Sequence, residues 1–190
     1  MKTKEQLIFY YQLLRKYGLN DSHSGNASIR DNDNFIITKS GACADLIESA
    51  DLLECAINSI KTPSVKSTQP IRPSLDTGIH QSIYQRYPEF NAVLHAHNPY
   101  TIAQTFNGSY FSPLDFEGQL YFGDLDIIEC DTNNYLETMP QRISDALQNN
   151  KLVIVRTHGV YVGAETAELA YKWLCSLEQS AKIKWLAKGA

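Results

Sequence analysis

The sequence predicts an α/β sandwich built on a mostly antiparallel sheet. Two observations lead to this fold class. Segments with helical spacing of apolar residues are interspersed with short β-branched segments, some of them paired across a short turn. No strict βαβ alternation, which would indicate a parallel sheet, runs through the 190 residues. The length favours one domain over residues 1–190.

Five segments carry the signals of helices. Gly18 is a plausible end for the first, Ser74 is a good N-cap for the second, and Pro99 suits the first turn of the third. The predicted helices are 4–17, from Ser74 to before Pro88, from Pro99 onward, 135–148 (with Pro140 near its first turns) and 164–187.

The strand signals are short and come close to turns. A hairpin is predicted from Ile29 and Arg30 to FIITKSG, across the polar turn DNDN. The segment NAVLHAH (91–97) has the alternation of a strand, and KLVIVRTHGVYVG reads as two strands around Thr157, His158 and Gly159. The segment 24–28 is interpreted as an ordinary loop, and 61–70 is loop-like.

Composition excludes several function classes. The formal net charge is -4, and no Lys/Arg run is present, so we expect no nucleic-acid partner. We expect no membrane association, because no stretch of about 18 apolar residues exists. The four cysteines contain no CxxC pair. Scattered cysteines and the lack of a signal-peptide pattern favour a cytoplasmic location.

Two histidines on one strand indicate a metal site. His95 and His97 are two residues apart, so their side chains point to the same face of the strand. His158 lies beside Gly159 at a predicted strand end, and three imidazoles with an open position are typical of a catalytic metal site. The alternative is a set of core histidines bonded to backbone, since spacing alone does not bring His158 to the pair.

Asp76 and two loop segments are further candidates. Asp76 near a helix start could be a fourth ligand or a base, or could only complete the helix start. The segments Thr38–Gly41 and Pro73–Ser74 could bind an anion through hydroxyls and free N–H groups, or could be ordinary turns and caps. His80 could pack locally, four residues after Asp76.

Taken together, five segments resemble the class II aldolase/adducin family. In order, they are GNAS (25–28), ITKSGA (37–42), RPSLD (72–76) followed by His80, NAVLHAH (91–97) and RTHGVYVGA (156–164).

The resemblance implies a fold and a site. The fold is a three-layer α/β/α sandwich with a mainly antiparallel central sheet, in homotetramers with active sites at subunit interfaces. A divalent metal, usually Zn²⁺, is held by His95, His97 and His158, with Asp76 in the acidic position. The implied substrate-binding residues are Asn26 near the metal and, at phosphate-binding positions, Ser40, Gly41 and Ser74.

The resemblance also implies a reaction: retro-aldol cleavage of a small phosphorylated ketose, as in fuculose-phosphate aldolase. Alternatives on the same scaffold are a sugar-phosphate 4-epimerase or dehydratase, or an adducin-like assembly module without activity. The aldolases of the family usually have Glu at the position of Asp76, whereas the epimerases have Asp there, as this chain does. In addition, Leu75 occupies a position where the family often has a phosphate-binding Ser. The second acid/base is unassigned. Glu117 and Tyr121 are candidates, although an ordinary strand or loop residue is the favoured interpretation of each.

Overall fold

A computed structural model describes residues 3–58 and 71–188. The loop predicted over 61–70 lies outside them. The helices are α1 Thr3–Lys16, α2 Thr77–Arg86, α3 Pro99–Gln104, α4 Phe116–Tyr121, α5 Tyr135–Ala146 and α6 Ala167–Ala187. The strands are β1 Asn26–Asp31, β2 Asn34–Thr38, β3 Leu52–Ala56, β4 Ala92–Ala96, β5 Tyr110–Phe111, β6 Leu125–Ile128, β7 Val153–Val155 and β8 Gly159–Ala164.

Within these residues, eight strands form one sheet in the order β3-β2-β1-β4-β8-β7-β6-β5. The pair β6–β7 is parallel, and the other pairs are antiparallel. This confirms the mostly antiparallel sheet. The strands β4 and β8 are neighbours in its centre, although more than 60 residues separate them along the chain.

Two apolar clusters lie on opposite faces of the sheet. One joins Leu14 of α1 and Leu177 of α6 to sheet residues such as Leu94. The other joins Ile83 of α2 and Ile143 of α5 to residues such as Val93. Successive residues of β4 thus point into different clusters, as strand geometry requires. The sheet lies between two helical layers, which confirms the α/β/α sandwich.

Several helix and strand boundaries differ from the prediction. Ser74 is not the N-cap of α2; that position belongs to Asp76, two residues later, although the Ser74 hydroxyl accepts a hydrogen bond from the Asp76 backbone N–H. The segment from Asn26 belongs to β1 and not to a loop, and β8 continues to Ala164, so α6 begins three residues later than predicted.

The segment after Asp115, where no helix is predicted, forms the short helix α4. The Asp115 carboxylate accepts a hydrogen bond from the Gly118 backbone N–H and thereby caps this helix. None of the helices in the described part of the chain is long and apolar enough to cross a bilayer.

Candidate metal centre

Three histidines meet where β4 ends and β8 begins. His95 is in β4 and His97 follows it, while His158 lies in the turn before β8, the antiparallel partner of β4. One ligand atom from each ring lies within 4.8 Å of the other two. The structure therefore brings together the three imidazoles that the sequence separates.

The ring nitrogen that faces the cluster is defined for His95. Its Nδ1 lies 3.0 Å from Val160 O and must donate, because a carbonyl only accepts. The lone pair is therefore on Nε2, which lies 3.0 Å from His97 Nε2. This donor set fits a divalent cation such as zinc, because metal-binding histidines commonly have their second ring nitrogen fixed by a backbone carbonyl.

Burial favours the neutral form of these rings. Desolvation lowers the pKa of His95 well below its usual value, and it is also the main cause of the lowered pKa of His97 and of His158. Neutral imidazole is the form that binds a metal ion.

The carboxylate of Asp76 lies beside the histidines. It is buried at the N-cap of α2, and its Oδ2 is 3.9 Å from His95 Nε2. Asn26 Nδ2 donates to Oδ2 over 2.7 Å, Tyr161 OH donates to Oδ2 over 2.8 Å, and Tyr135 OH donates to Oδ1 over 2.9 Å. Three elements outside α2 therefore fix the position of this carboxylate.

Burial and hydrogen bonding oppose each other at Asp76. Burial alone would raise its pKa, but the attraction of His95 and the donors Asn26 and Tyr161 outweigh it, so the pKa of Asp76 is lowered. The group is a carboxylate at neutral pH.

A chain of buried hydrogen bonds leads from Asp76 into the core. Because the Asn26 amide donates to Asp76, its Oδ1 faces His80 Nε2 at 2.6 Å and accepts from it. His80 Nδ1 then accepts from Ser28 Oγ at 2.6 Å, and Ser28 Oγ accepts from Tyr84 OH at 2.8 Å. Each direction follows from the one before, so His80, which the sequence left open, orients Asn26.

The Asn26 amide has a second N–H. Its first N–H is used by Asp76, and its oxygen is used by His80. An oxygen of a molecule bound beside Asp76 would therefore meet a donor at Asn26 and not an acceptor.

The two predicted anion-binding segments adjoin each other. The Ser40 backbone N–H donates to Arg72 O, and the Ser74 backbone N–H donates to Thr38 O. Between them, Lys39 and Pro73 form an isolated antiparallel β-bridge. Ser74 is half-buried, two residues before Asp76, while Ser40 and Gly41 are exposed. The backbone N–H groups of Ser40 and Ser74 are therefore not free for an anion, which corrects that part of the expectation. Binding of a phosphate by Ser40, Gly41 and Ser74, through hydroxyls at the two serines, stays a prediction.

The candidate acid/base residues Glu117 and Tyr121 lie on α4, away from the histidines. The Tyr121 ring packs edge-on against Trp173 of α6, in the apolar cluster that contains Leu94. His95 follows Leu94 in the strand and so points to the opposite face of the sheet.

Two tyrosines that contact Asp76 were not predicted. Tyr161 lies directly opposite His95 in the register of β4 and β8, so an alignment of these two strands would have revealed it. Tyr135 begins α5, and no sequence pattern relates it to Asp76, since their contact depends on how α5 packs on α2.

The protein is thus a three-layer α/β/α domain with a candidate metal centre, in which three histidines lie beside a buried acid. The family of class II aldolase and adducin N-terminal domains matches residues 5–185, and the chain belongs to this family.

Relatives and solved structures of this family differ in the reactions their names state. The chain is 29% identical over 167 residues to a methylthioribulose-1-phosphate dehydratase of Pectobacterium atrosepticum, covering 81% of this chain and 79% of the relative. It is 25% identical over 201 residues to an L-ribulose-5-phosphate 4-epimerase of Salmonella paratyphi C, covering 99% and 86%. The crystal structure of L-fuculose-1-phosphate aldolase from Thermus thermophilus matches with a TM-score of 0.84 and 28% identity, over 99% of this chain and 96% of that one.

Proposed function

We propose that this protein is a metal-dependent aldehyde-lyase that cleaves a small phosphorylated ketose by a retro-aldol reaction. The observation that carries the proposal is the convergence of His95, His97 and His158 beside the buried carboxylate of Asp76. The structural match to fuculose-1-phosphate aldolase supports the choice of reaction.

The three histidines would hold a divalent cation, and we propose Zn²⁺. When bound, such a cation supplies Lewis-acid polarisation of the ketose carbonyl and its neighbouring hydroxyl. The neutral rings and the bond from His95 Nδ1 to Val160 O support this ligand set.

Cleavage needs two proton transfers. The hydroxyl on the carbon that becomes the aldehyde loses its proton, and the carbon that remains with the phosphate fragment gains one. Asp76 is charged, buried and adjacent to the histidines, so it is our candidate for one of these transfers; the other role open to it is that of fourth ligand. The free N–H of Asn26 would donate to a substrate oxygen.

The phosphate would bind at Ser40, Gly41 and Ser74. Support comes from the hydrogen bonds that hold the two segments side by side and from their position next to Asp76. Anchoring the phosphate there would fix the orientation of the ketose relative to the histidines.

Dehydration or 4-epimerisation of a sugar phosphate is the second candidate. The names of the dehydratase and epimerase relatives favour it, and it begins with the same kind of bound ketose phosphate. Aspartate at position 76 agrees with the epimerases. An adducin-like module without activity is less well supported, because the histidines and the acid are retained together.

We also propose a homotetramer with active sites at subunit interfaces. Large apolar side chains are exposed along residues 106–120, including Phe116 and Leu120, which share one face of α4. An exposed apolar patch of this kind favours an interface. Light scattering of the wild type and of Phe116→Asp tests the proposal. We expect the wild type to be a tetramer and the Phe116→Asp variant to dissociate. A monomeric wild type would contradict the proposal.

The reaction is tested with a substrate panel. Protein loaded with Zn²⁺, Co²⁺ or Mn²⁺ is incubated with L-fuculose 1-phosphate, L-ribulose 5-phosphate and methylthioribulose 1-phosphate. Release of dihydroxyacetone phosphate is expected from a ketose 1-phosphate. Epimer formation or loss of water without cleavage would assign the second candidate. Protein that retains none of the added metals and turns over none of the substrates would favour the assembly module.

A further inference from the structure

The hydroxyl of Tyr135 lies between a candidate metal ligand and the candidate acid. It is 2.9 Å from Asp76 Oδ1, 2.7 Å from Tyr161 OH and 3.5 Å from His158 Nδ1. Tyr135 is the first residue of α5, whereas Asp76 is at the N-cap position of α2 and His158 lies in the turn before β8. One hydroxyl thus connects three separate elements.

The packing of α5 holds this hydroxyl in place. Met139 and Ile143 of α5 are buried in one cluster with Ile79 and Ile83 of α2. The two helices lie side by side at Gly78, where a Cβ would be in ordinary van der Waals contact with the Pro140 ring at 3.6 Å.

The start of α5 is fixed as well. The Asp131 side chain accepts hydrogen bonds from the Asn134 backbone N–H and from Thr138 Oγ1. Tyr135 directly follows this turn, so the hydrogen bonds of the turn fix the backbone from which the Tyr135 side chain extends.

The direction of the hydrogen bonds follows from the groups. Asp76 Oδ1 can only accept, so Tyr135 OH donates its single proton in the 2.9 Å contact with this oxygen. In the 2.7 Å contact with Tyr161 OH the Tyr135 oxygen therefore accepts, and Tyr161 shares its own proton between Asp76 Oδ2 and Tyr135. The lone pairs of the Tyr135 oxygen remain for a donor, and His158 Nδ1–H is within reach. A proton on Nδ1 leaves Nε2 of His158 with the lone pair that a cation needs.

We propose that Tyr135 is a positioning residue that couples His158 to Asp76, setting both the tautomer of the ligand and the orientation of the acid. Tyr135 then does for His158 what Val160 O does for His95. The inference rests on the metal site of the proposed function, but it is independent of which sugar phosphate reacts.

Two phenylalanine variants separate the effects. Tyr135→Phe removes the hydroxyl contacts to both His158 and Asp76. Tyr161→Phe removes the hydroxyl contacts to Asp76 and to Tyr135 OH, and it leaves the contact between Tyr135 OH and His158 Nδ1 in place. Tyr87→Phe is the matched control, because Tyr87 OH also bonds the helical layer, at Ser144 O, and is remote from Asp76 in the hydrogen-bond network.

The readouts are Co²⁺ affinity, measured by chelator competition, and the visible spectrum of the bound Co²⁺. We expect Tyr135→Phe to weaken Co²⁺ binding by about tenfold or more and to change the spectrum, as loss of a partner of a metal ligand does. Tyr161→Phe should retain the wild-type spectrum and most of the affinity. Thermal unfolding of the metal-free variants shows whether each is folded.

The outcomes distinguish the inference from the proposed function. If the wild type binds no Co²⁺, both fail. If the wild type binds it and Tyr135→Phe is unchanged, only the inference fails. Equal losses in Tyr135→Phe and Tyr161→Phe would also overturn it, because the effect would then run through Asp76 and not through His158. If Tyr135→Phe does not fold, Thr138→Val takes its place, because it removes the hydrogen bond to Asp131 and loosens the turn before α5. Unchanged Co²⁺ binding in Thr138→Val would then overturn the inference.

Discussion

The imidazole of His95 and the phenol of Tyr161 lie parallel, with ring centroids 3.9 Å apart and an interplanar angle of 6°. The two residues are cross-strand neighbours in β4 and β8, so the sheet itself sets this contact. The Tyr161 hydroxyl continues to Asp76 Oδ2. The pair therefore fixes the position of the acid relative to a histidine of the metal centre.

The first prediction concerns metal content. His95→Ala removes the central imidazole of the cluster, and we expect loss of bound metal with most of the fold retained. Elemental analysis of the purified protein and circular dichroism are the measurements. His23→Ala, in an exposed turn, is the control and should bind metal like the wild type. Full metal occupancy in His95→Ala would show that the ligand assignment is wrong.

A second prediction separates the two roles of Asp76. Asp76→Asn keeps the shape but removes the charge, and it sets an amide N–H₂ against groups that donate to the native carboxylate. If Asp76 transfers a proton, turnover on the true substrate should fall by about 100-fold or more, with a smaller loss of metal affinity. Steady-state kinetics and metal titration measure the two effects. Unchanged turnover would remove Asp76 from the mechanism.

The third prediction is a pH dependence of stability from His80. Burial lowers the pKa of His80 to about 4 from 6.5, so between these values the unfolded chain binds a proton that the folded protein does not. The free energy of unfolding should therefore rise with pH across this window, with a contribution on the order of 3 kcal/mol. The contribution is complete above pH 6.5 and is lost as the pH falls towards 4.

Denaturant unfolding at several pH values tests the His80 contribution. Glutamine can donate to Asn26 and accept from Ser28, so His80→Gln should flatten the slope without removing the hydrogen-bond chain. The buried histidines of the metal centre act in the same direction and remain in both proteins. His23→Gln is the exposed control. A slope that is equal in the wild type and in His80→Gln would contradict the prediction.

A fourth prediction concerns the phosphate site. Leu75 is 59% exposed between Ser74 and Asp76, where the family often has a serine. Leu75→Ser should restore a hydroxyl near the phosphate, worth about 1 kcal/mol or roughly fivefold in KM for a phosphorylated ketose. Leu186→Ser, exposed on α6, is the control. No change in KM would indicate that the phosphate binds elsewhere.

The last prediction concerns the backbone next to His95. Gly25 has φ +69°, and a Cβ there would lie 2.5 Å from His95 O and 2.3 Å from Asn20 Nδ2. Gly25→Ala should cost at least about 1 kcal/mol of stability and lower metal affinity, because His95 must shift. Gly123→Ala has a similar positive φ but open space around it, so it isolates the backbone strain. Equal metal affinity in the two variants would contradict the expected shift.

Local sequence signals were sufficient for much of the fold. Pro99 begins α3 as predicted, α2 ends before Pro88, and the pair of strands around His158 is present. These features depend on residues close together in the chain. Ser74 lies before the helix, which begins only after Asp76, and its backbone N–H donates to Thr38 O. Thr38 is distant in sequence, so no local signal reveals this contact.

The sequence by itself determined the family, the two-residue spacing of His95 and His97, and the set of polar residues available for a site. Strand alternation makes that spacing a shared face, which is a local property. The resemblance implied that His158 joins the pair, and the tertiary structure brings the three rings together. Only the tertiary structure decided that His80 orients Asn26 and that Tyr135 reaches Asp76. Those contacts depend on the pairing of β4 with β8 and the packing of α5 on α2. No local propensity encodes them, because they arise from burial of side chains far apart in the chain.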